Sequence, residues 1–404
     1  MELGSLTTRT DINVSVTYFE GPKVEVTTDI KEQYDFIISF YDGEILIDRA
    51  TIQNNMWYEN NRKYHTDWTI TVEIKQTKEL IHIDKLDLNE KRVLFEYGSK
   101  SMGDILAWFP YIDEFVKKHK CIPFVYCDKN VRKLFDKKHY SHINFVDTWG
   151  DYESIYKKYR ISVSWDKSIG DGGFNETDYY KPDFDANKTN PFHIPQQKIV
   201  TDILGLDYVE KKPKITFQKD RRNRKVFGKY VCIAVQSTAQ AKYWNYPGGW
   251  DEVVRYIKTN LGYSVVCIDA ESCWGKRNTF FNYIPKGVID DTGYKTLKER
   301  ASTIYNSEFF IGLGSGLSWL AWIVGKPVVM ISSFSKPYTE FQSNLIRLYN
   351  DNNLSGYYNT GTLDRVDFHW NPIMKCQTQE EWSRMETITP QQVINAIKEI
   401  NTWN

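Results

Sequence analysis

Three groups of side chains have types and spacings that can do chemistry. The first is Asp104 in YGSKSMGDILAWFP, where a strand pattern gives way to a helical one. A carboxylate there can take a proton from an attacking hydroxyl. The same position suits an N-cap for a helix beginning at Ile105, and both uses can hold at once. The second group is Gln236, Ser237, Thr238, Lys242 and Trp244, on the loop leaving the strand pattern YVCIAVQST. Hydroxyls, an amide and an ammonium can hold a diphosphate, and the lysine can offset charge on a leaving group as a metal would. A solvated loop with a surface lysine is the plainer reading. Trp244 fits either stacking on a base or packing under the loop. The third group is the turn Gly314, Ser315, Gly316, Leu317 and Ser318, inside EFFIGLGSGLSWLAWIVGKPVVMI. Small residues there admit a ligand close to the backbone, and free amides at a helix start favour a phosphate. Such a turn also serves as a packing device.

The elements that must position these groups fall into three segments. Alternating β-branched and aromatic runs such as VSVTYFE, YDFIISFYD and TDWTITVEIKQ predict a small antiparallel domain over 6–83, with roughly six to eight strands. From Lys91 the pattern becomes strand–helix alternation: RVLFEYG, a helix over ILAWFPYIDEFVKKHK, then CIPFVYCD, HINFVDTWGD and YRISVSWD as strands. A polar loop fills 166–195, IPQQKIVTDILGLD resumes as helix, and the basic connector KKPKITFQKDRRNRKVFGK follows. The second alternating half opens at Tyr230. It includes the strand YSVVCIDA, the helix YKTLKERASTIYNS, the unit Phe309–Leu313, Leu317–Val324 and Val328–Ile331, a helix at FSKPYTEF and a terminal helix behind Thr389 and Pro390. The expected domains are 1–88 (β-rich), 89–220 and 221–404 (each Rossmann-like). Two such halves with a glycine-serine turn in the second suggest a nucleotide or nucleotide-sugar ligand in the cleft between them, the architecture of GT-B glycosyltransferases.

Composition narrows the field. The chain has 404 residues, 41% hydrophobic and 15% aromatic, with zero formal net charge, which fits an ordinary globular enzyme rather than a nucleic-acid binder. No apolar run reaches the roughly 18–20 residues of a membrane span, and no secretory signal pattern opens the chain, so a cytoplasmic location is expected. The six cysteines include no C-x-x-C pair. Cys232 and Cys267 lie inside strand patterns and read as buried thiols. Asp183-Phe184-Asp185 is a D-x-D in a polar loop and is not expected to hold a metal. His193 and His369 stand alone, and the basic run 219–225 reads as a solvated connector.

Four blocks in order, GDILAWFPYIDEFVKKH, IPQQKIVTDILGLDY, VCIAVQSTAQAKYWNYPGGWDEVVRYI and GLGSGLSWLAWIVGKPVVMISSFSKPYTEF, resemble the bacterial autotransporter O-heptosyltransferases, a GT-B family. The resemblance implies inverting, metal-independent transfer of a heptose from ADP-heptose to serine or threonine hydroxyls of an adhesin. Asp104 matches the catalytic aspartate and Lys242 the diphosphate lysine. Gln236, Ser237, Thr238, Trp244, Asp269 and the turn Gly314–Ser318 fall on the donor side. A homo-oligomer through the β-rich domain is a further expectation. The family's four-cysteine iron segment is not retained, since only Cys376 lies in 350–385; the expectation is therefore no cofactor and no iron. Competing readings are a glycan or lipopolysaccharide transferase using another nucleotide sugar, and a non-catalytic nucleotide-sugar-binding scaffold.

Overall fold

The structure, a computed structural model, describes residues 6–147, 154–164, 182–220, 226–237, 242–272, 275–276, 279–280, 282–350, 357–360 and 387–400. Seven antiparallel strands come first: β1 (Ile12–Thr17), β2 (Lys23–Thr28), β3 (Asp35–Asp42), β4 (Ile45–Gln53), β5 (Met56–Glu59), β6 (Trp68–Ile74) and β7 (Glu79–Lys85). They form one sheet of order β1-β2-β5 and another of order β4-β3-β6-β7. Alternation buries Phe36, Ile38 and Phe40 of β3 with Val24, Val26 and Trp68 in a shared core.

The first parallel sheet comprises β8 (Arg92–Tyr97), β9 (Ile122–Tyr126), β10 (Asn144–Phe145) and β11 (Lys157–Ile161), in the order β10-β9-β8-β11. Its helices are α1 (Met102–Trp108), α2 (Pro110–His119), the short α3 (Lys129–Arg132) and α4 (Gln196–Leu204). The single helix expected from Ile105 is thus two helices. It starts three residues early at Met102 and breaks at Pro110, whose nitrogen has no hydrogen to continue the α1 ladder.

The second half holds β12 (Tyr230–Ile233), α5 (Gly249–Tyr256), β13 (Ser264–Cys267), the hairpin strands β14 (Gly275–Lys276) and β15 (Thr279–Phe280), and β16 (Ile289–Asp290). After these come α6 (Leu297–Tyr305), β17 (Phe310–Leu313), α7 (Gly316–Ile323), β18 (Val328–Ile331), β19 (Leu345–Leu348) and α8 (Pro390–Ile400). Its six-stranded parallel sheet runs β16-β13-β12-β17-β18-β19, so the order reverses between β12 and β17. Strands β12, β17 and β18 are buried throughout, as continuous apolar strands covered on both faces must be. FSKPYTEF forms turns rather than the expected helix: Pro337 interrupts it, and Glu340 turns inward to pair with Arg347 of β19. The strand β19, as long as β17 and β18, does not show in the periodicity because Arg347 interrupts its apolar run.

The β-rich sheets are bonded directly to the first parallel half. Lys158 N donates to Phe19 O (2.7 Å), Lys157 Nζ to Glu20 O (2.8 Å) and His65 N to Ile203 O (2.7 Å). The His65 ring is buried against Tyr159, Phe115 and His119, with Nδ1 2.7 Å from the Tyr159 hydroxyl. Burial, and then the charge of His119, pull its pKa down to about 3. The unfolded imidazole takes a proton near its ordinary 6.5 and the folded one does not, so this contribution is complete above pH 6.5 and is lost as pH falls toward 3. The slope is about 1.4 kcal/mol per pH unit. His65→Gln should flatten the acid side of a stability–pH curve; an acid slope equal to that of the parent chain would refute the assignment.

The two parallel halves meet where α1 crosses α7. A Cβ on Gly316 would lie 3.2 Å from the backbone nitrogen of Gly103 and 2.6 Å from Met102 Cε. Gly316→Val should therefore wedge the helices apart and cost about 1–3 kcal/mol in chemical unfolding, whereas an unchanged midpoint would show that nothing presses there.

Candidate active site

Open parallel sheets bind ligands beyond the carboxyl ends of their strands, where the strand order reverses. Here the two reversal points face each other across a cleft of about 610 Å³. One wall is the turn between β8 and α1 (Lys100, Ser101, Met102, Gly103). The other combines Gln236 and Ser237 after β12, Asp269, Ala270 and Glu271 after β13, Tyr243, and Ser315, Gly316 and Leu317 at the start of α7. Neither Ser101 nor Ser315 turns its side chain back to cap its helix. The positive ends of α1 and α7 thus both open into the cleft, an arrangement suited to an anion.

Asp104 follows the wall residue Gly103. Because α1 begins at Met102, its carboxylate lies in the first turn and does not cap the helix. Instead Oδ2 accepts from the Ser99 hydroxyl (2.5 Å) and Oδ1 from the Gln196 side-chain amide. Burial raises its pKa, while Ser99, Lys242 and Gln196 oppose that rise. Lys242 donates to Gly314 O (2.8 Å) and lies over the Phe334 ring, 5.2 Å from its centre. Burial lowers its pKa, Glu340 and Asp104 raise it, and Arg347 lowers it further. Neither side chain is among those lining the cleft, but each adjoins a lining residue, Gly103 or Tyr243, and the two are close enough to bias each other's charge.

The other expected residues divide by position. Gln236, Ser237, Ser315, Gly316, Leu317 and Asp269 line the cleft. Asp269 is almost wholly buried, and its carboxylate accepts from the amides of Val235 (2.7 Å) and Gln236 (3.2 Å), which shapes the loop after β12. Burial pushes its pKa up to about 7. Gly314 contributes its carbonyl to Lys242, and a Cβ there would lie 2.9 Å from Ser332 Oγ. Ser318 is buried, its hydroxyl donating to Leu313 O (2.5 Å), which ties α7 to β17. Of the two readings of Trp244, the structure has the packed one: the indole lies under the loop against Trp250, with Nε1 donating to Ile388 O (2.8 Å). It faces away from the cleft because its ring fills the second half's core. Thr238, Cys376 and His369 lie outside the described residues, as do 165–181 of the long loop and 221–225 of the basic run. Asp183 closes a local turn onto the amides of Asp185 and Ala186. Cys232 and Cys267 are buried free thiols.

Sequence reasoning missed Ser99, Gln196, Glu340, Arg347 and Tyr358. Glu340 is a strong charge partner of Lys242, and Tyr358 is close enough to Asp104 and Glu340 to feel both. Gln196 is 92 positions from Asp104, so no local spacing relates them.

Two facing parallel sheets with a cleft at their reversal points give the fold of a GT-B glycosyltransferase. The chain belongs to the autotransporter heptosyltransferase family. It is 36% identical to the autotransporter heptosyltransferase Aah of Escherichia coli, over 91% of this chain and 88% of that protein. Identity to TibC of E. coli H10407 is 34%, over 85% of this chain and 80% of that one. The crystal structure of TibC, described as an iron-containing dodecameric glycosyltransferase, superposes with a TM-score of 0.81 at 30% identity and covers 96% of each chain. A second TibC structure is described as a complex with ADP-D-β-D-heptose. BimC of Burkholderia thailandensis, described as an inactive autotransporter heptosyltransferase, is 30% identical over 70% of this chain and 62% of that protein. No family model matches the chain.

The iron in TibC corrects the expectation that no cofactor and no iron take part. That expectation rests on 350–385, of which only 350 and 357–360 are described. Among the described residues, no group of three or more His, Cys, Asp or Glu is arranged to hold a metal, and no step below runs through one. Among the described residues, no helix is long and apolar enough to cross a membrane.

If the ammonium faces a diphosphate, Lys242→Met should weaken ADP binding in calorimetry by about 10- to 100-fold, the worth of one charge-assisted contact. Equal affinity in the variant would remove Lys242 from the donor site.

Proposed function

We propose that this chain transfers a heptose from ADP-heptose to serine or threonine hydroxyls of an autotransporter adhesin, in the cytoplasm before export. In this reading residues 89–220 form the acceptor-side domain and 221–404 the donor domain. The β-rich segment 1–88 contributes to acceptor docking and to a homo-oligomer. One observation carries the proposal: Asp104, next to the cleft residue Gly103, and Lys242, next to the cleft residue Tyr243 and bonded to Gly314 O, come from opposite halves to flank the same cleft, where each bears on the other's charge.

The acceptor hydroxyl attacks the anomeric carbon and a new carbon–oxygen bond forms. The bond from that carbon to the β-phosphate oxygen breaks, its electron pair leaving with ADP. Asp104 takes the hydroxyl proton. Lys242 and the first amides of α7 meet the charge on the departing diphosphate, inside a site with little water to screen it. A single displacement inverts the anomeric centre. A base must be ionised to act, so the rate falls as pH drops through the Asp104 pKa, which burial has raised.

The scaffold alternative draws on the relative described as inactive. Incubation with ADP-heptose and a serine-bearing autotransporter passenger fragment separates the two. Transfer should add one heptose in mass, and Asp104→Asn should lower kcat by about 10²- to 10⁴-fold with ADP binding retained. Undiminished transfer by Asp104→Asn would remove the proposed base, and ADP binding without transfer to any acceptor would favour the scaffold.

A further inference from the structure

Asp104 is held from two sides, and only one of them is local. Ser99 belongs to the same turn. Gln196, the first residue of α4, reaches across from the far end of the domain, and its Nε2 donates to Asp104 Oδ1. The amide orientation is settled by its partner, since a carboxylate oxygen can only accept and the Gln196 carbonyl would repel it.

The Gln196 backbone is fixed independently of that side chain. Its carbonyl accepts from Trp108 Nε1 (2.8 Å) at the end of α1, and its N–H donates to Thr339 O (2.8 Å) in the loop after β18. The residue therefore sits on the seam between the two halves. Removing the side-chain amide leaves both backbone bonds in place.

We propose that Gln196 is a positioning residue for Asp104, aiming its carboxylate at the acceptor hydroxyl and holding it in the charged form. This rests on the reading of Asp104 as the base. With Ser99 on Oδ2 and Gln196 on Oδ1, the carboxylate is clamped at both oxygens and keeps its remaining lone pairs for the proton it removes. The ionisable groups facing it are Lys242, which favours its charge, and the Tyr358 hydroxyl. Glu340 and Arg347 act on Lys242 from behind. Without the Gln196 donor the carboxylate is harder to ionise, so the acid limb of the rate profile must move to higher pH.

The test measures transfer from ADP-heptose to the passenger fragment across about pH 5–9, with ADP binding followed by calorimetry, for the parent chain, Gln196→Ala, Gln196→Glu and Asp104→Asn. Gln196→Ala should lose about tenfold in kcat on the acid limb of the profile, and the loss should shrink as pH rises. Its ADP affinity should stay within about twofold. Gln196→Glu, which sets a second carboxylate beside Asp104, should move the limb further the same way. A Gln196→Ala profile superimposed on that of the parent, with Asp104→Asn inactive, overturns this proposal alone. Full activity of Asp104→Asn overturns the base assignment and this proposal with it. Weakened ADP binding in Gln196→Ala would make the residue a donor contact and overturn its positioning role.

Discussion

Everything at the cleft depends on two helix starts touching through their main chains. With hydrogen as the only side chain at Gly103 and Gly316, α1 and α7 approach so closely that a Cβ at Gly316 would press on Met102 and on the backbone nitrogen of Gly103. That approach sets the two reversal points of the parallel sheets face to face. It also brings together two positive helix ends, neither blunted by a capping side chain, which is unfavourable until an anion lies between them. In the proposed function the same approach sets the start of α7 where it can meet a diphosphate.

Burial then works on two opposite charges at once. Desolvation pushes the Asp104 carboxyl toward its neutral form and the Lys242 ammonium toward its own. Each is held charged mainly by neighbours: hydroxyl and amide donors on the acid, and carboxylates around the base. Arg347 and Glu340, a buried pair tied to Ser332 and Ser335, form the fixed background behind Lys242. The Asp104 and Lys242 side chains are both partly exposed beside the cleft, so a charged ligand arriving there bears directly on their ionisation.

The sequence made the architecture legible because the relevant signals are local. Alternation in YDFIISFYD marks an antiparallel strand, continuous apolar runs such as VCIAV and PVVMI mark central parallel strands, and GLGSGLS marks a strand-to-helix turn. The start of α1 was misjudged because Met102 and Gly103 carry no helical signature of their own; their conformation follows from the contact with α7. Trp244 could not be assigned from composition, since an indole serves equally well against a base or in a core. Gln196, Glu340 and Tyr358 were invisible for a different reason. Each matters only through a partner that the fold delivers from a remote part of the chain.

The bonds between the β-rich sheets and β11 have a mechanical consequence. Phe19 and Glu20 accept from Lys158 and Lys157 of β11, while Lys63 N donates to Asp185 O and His65 N to Ile203 O of α4, so the β-rich sheets are tied to the first parallel half at several separate points. The two parallel halves are bonded across a separate seam, where Gln196 N donates to Thr339 O and Glu210 accepts from the amides of Gln342 and Ser343. A hinge at that seam would leave the seven strands and Asp104 in one frame, their spacing fixed like the marks on a ruler.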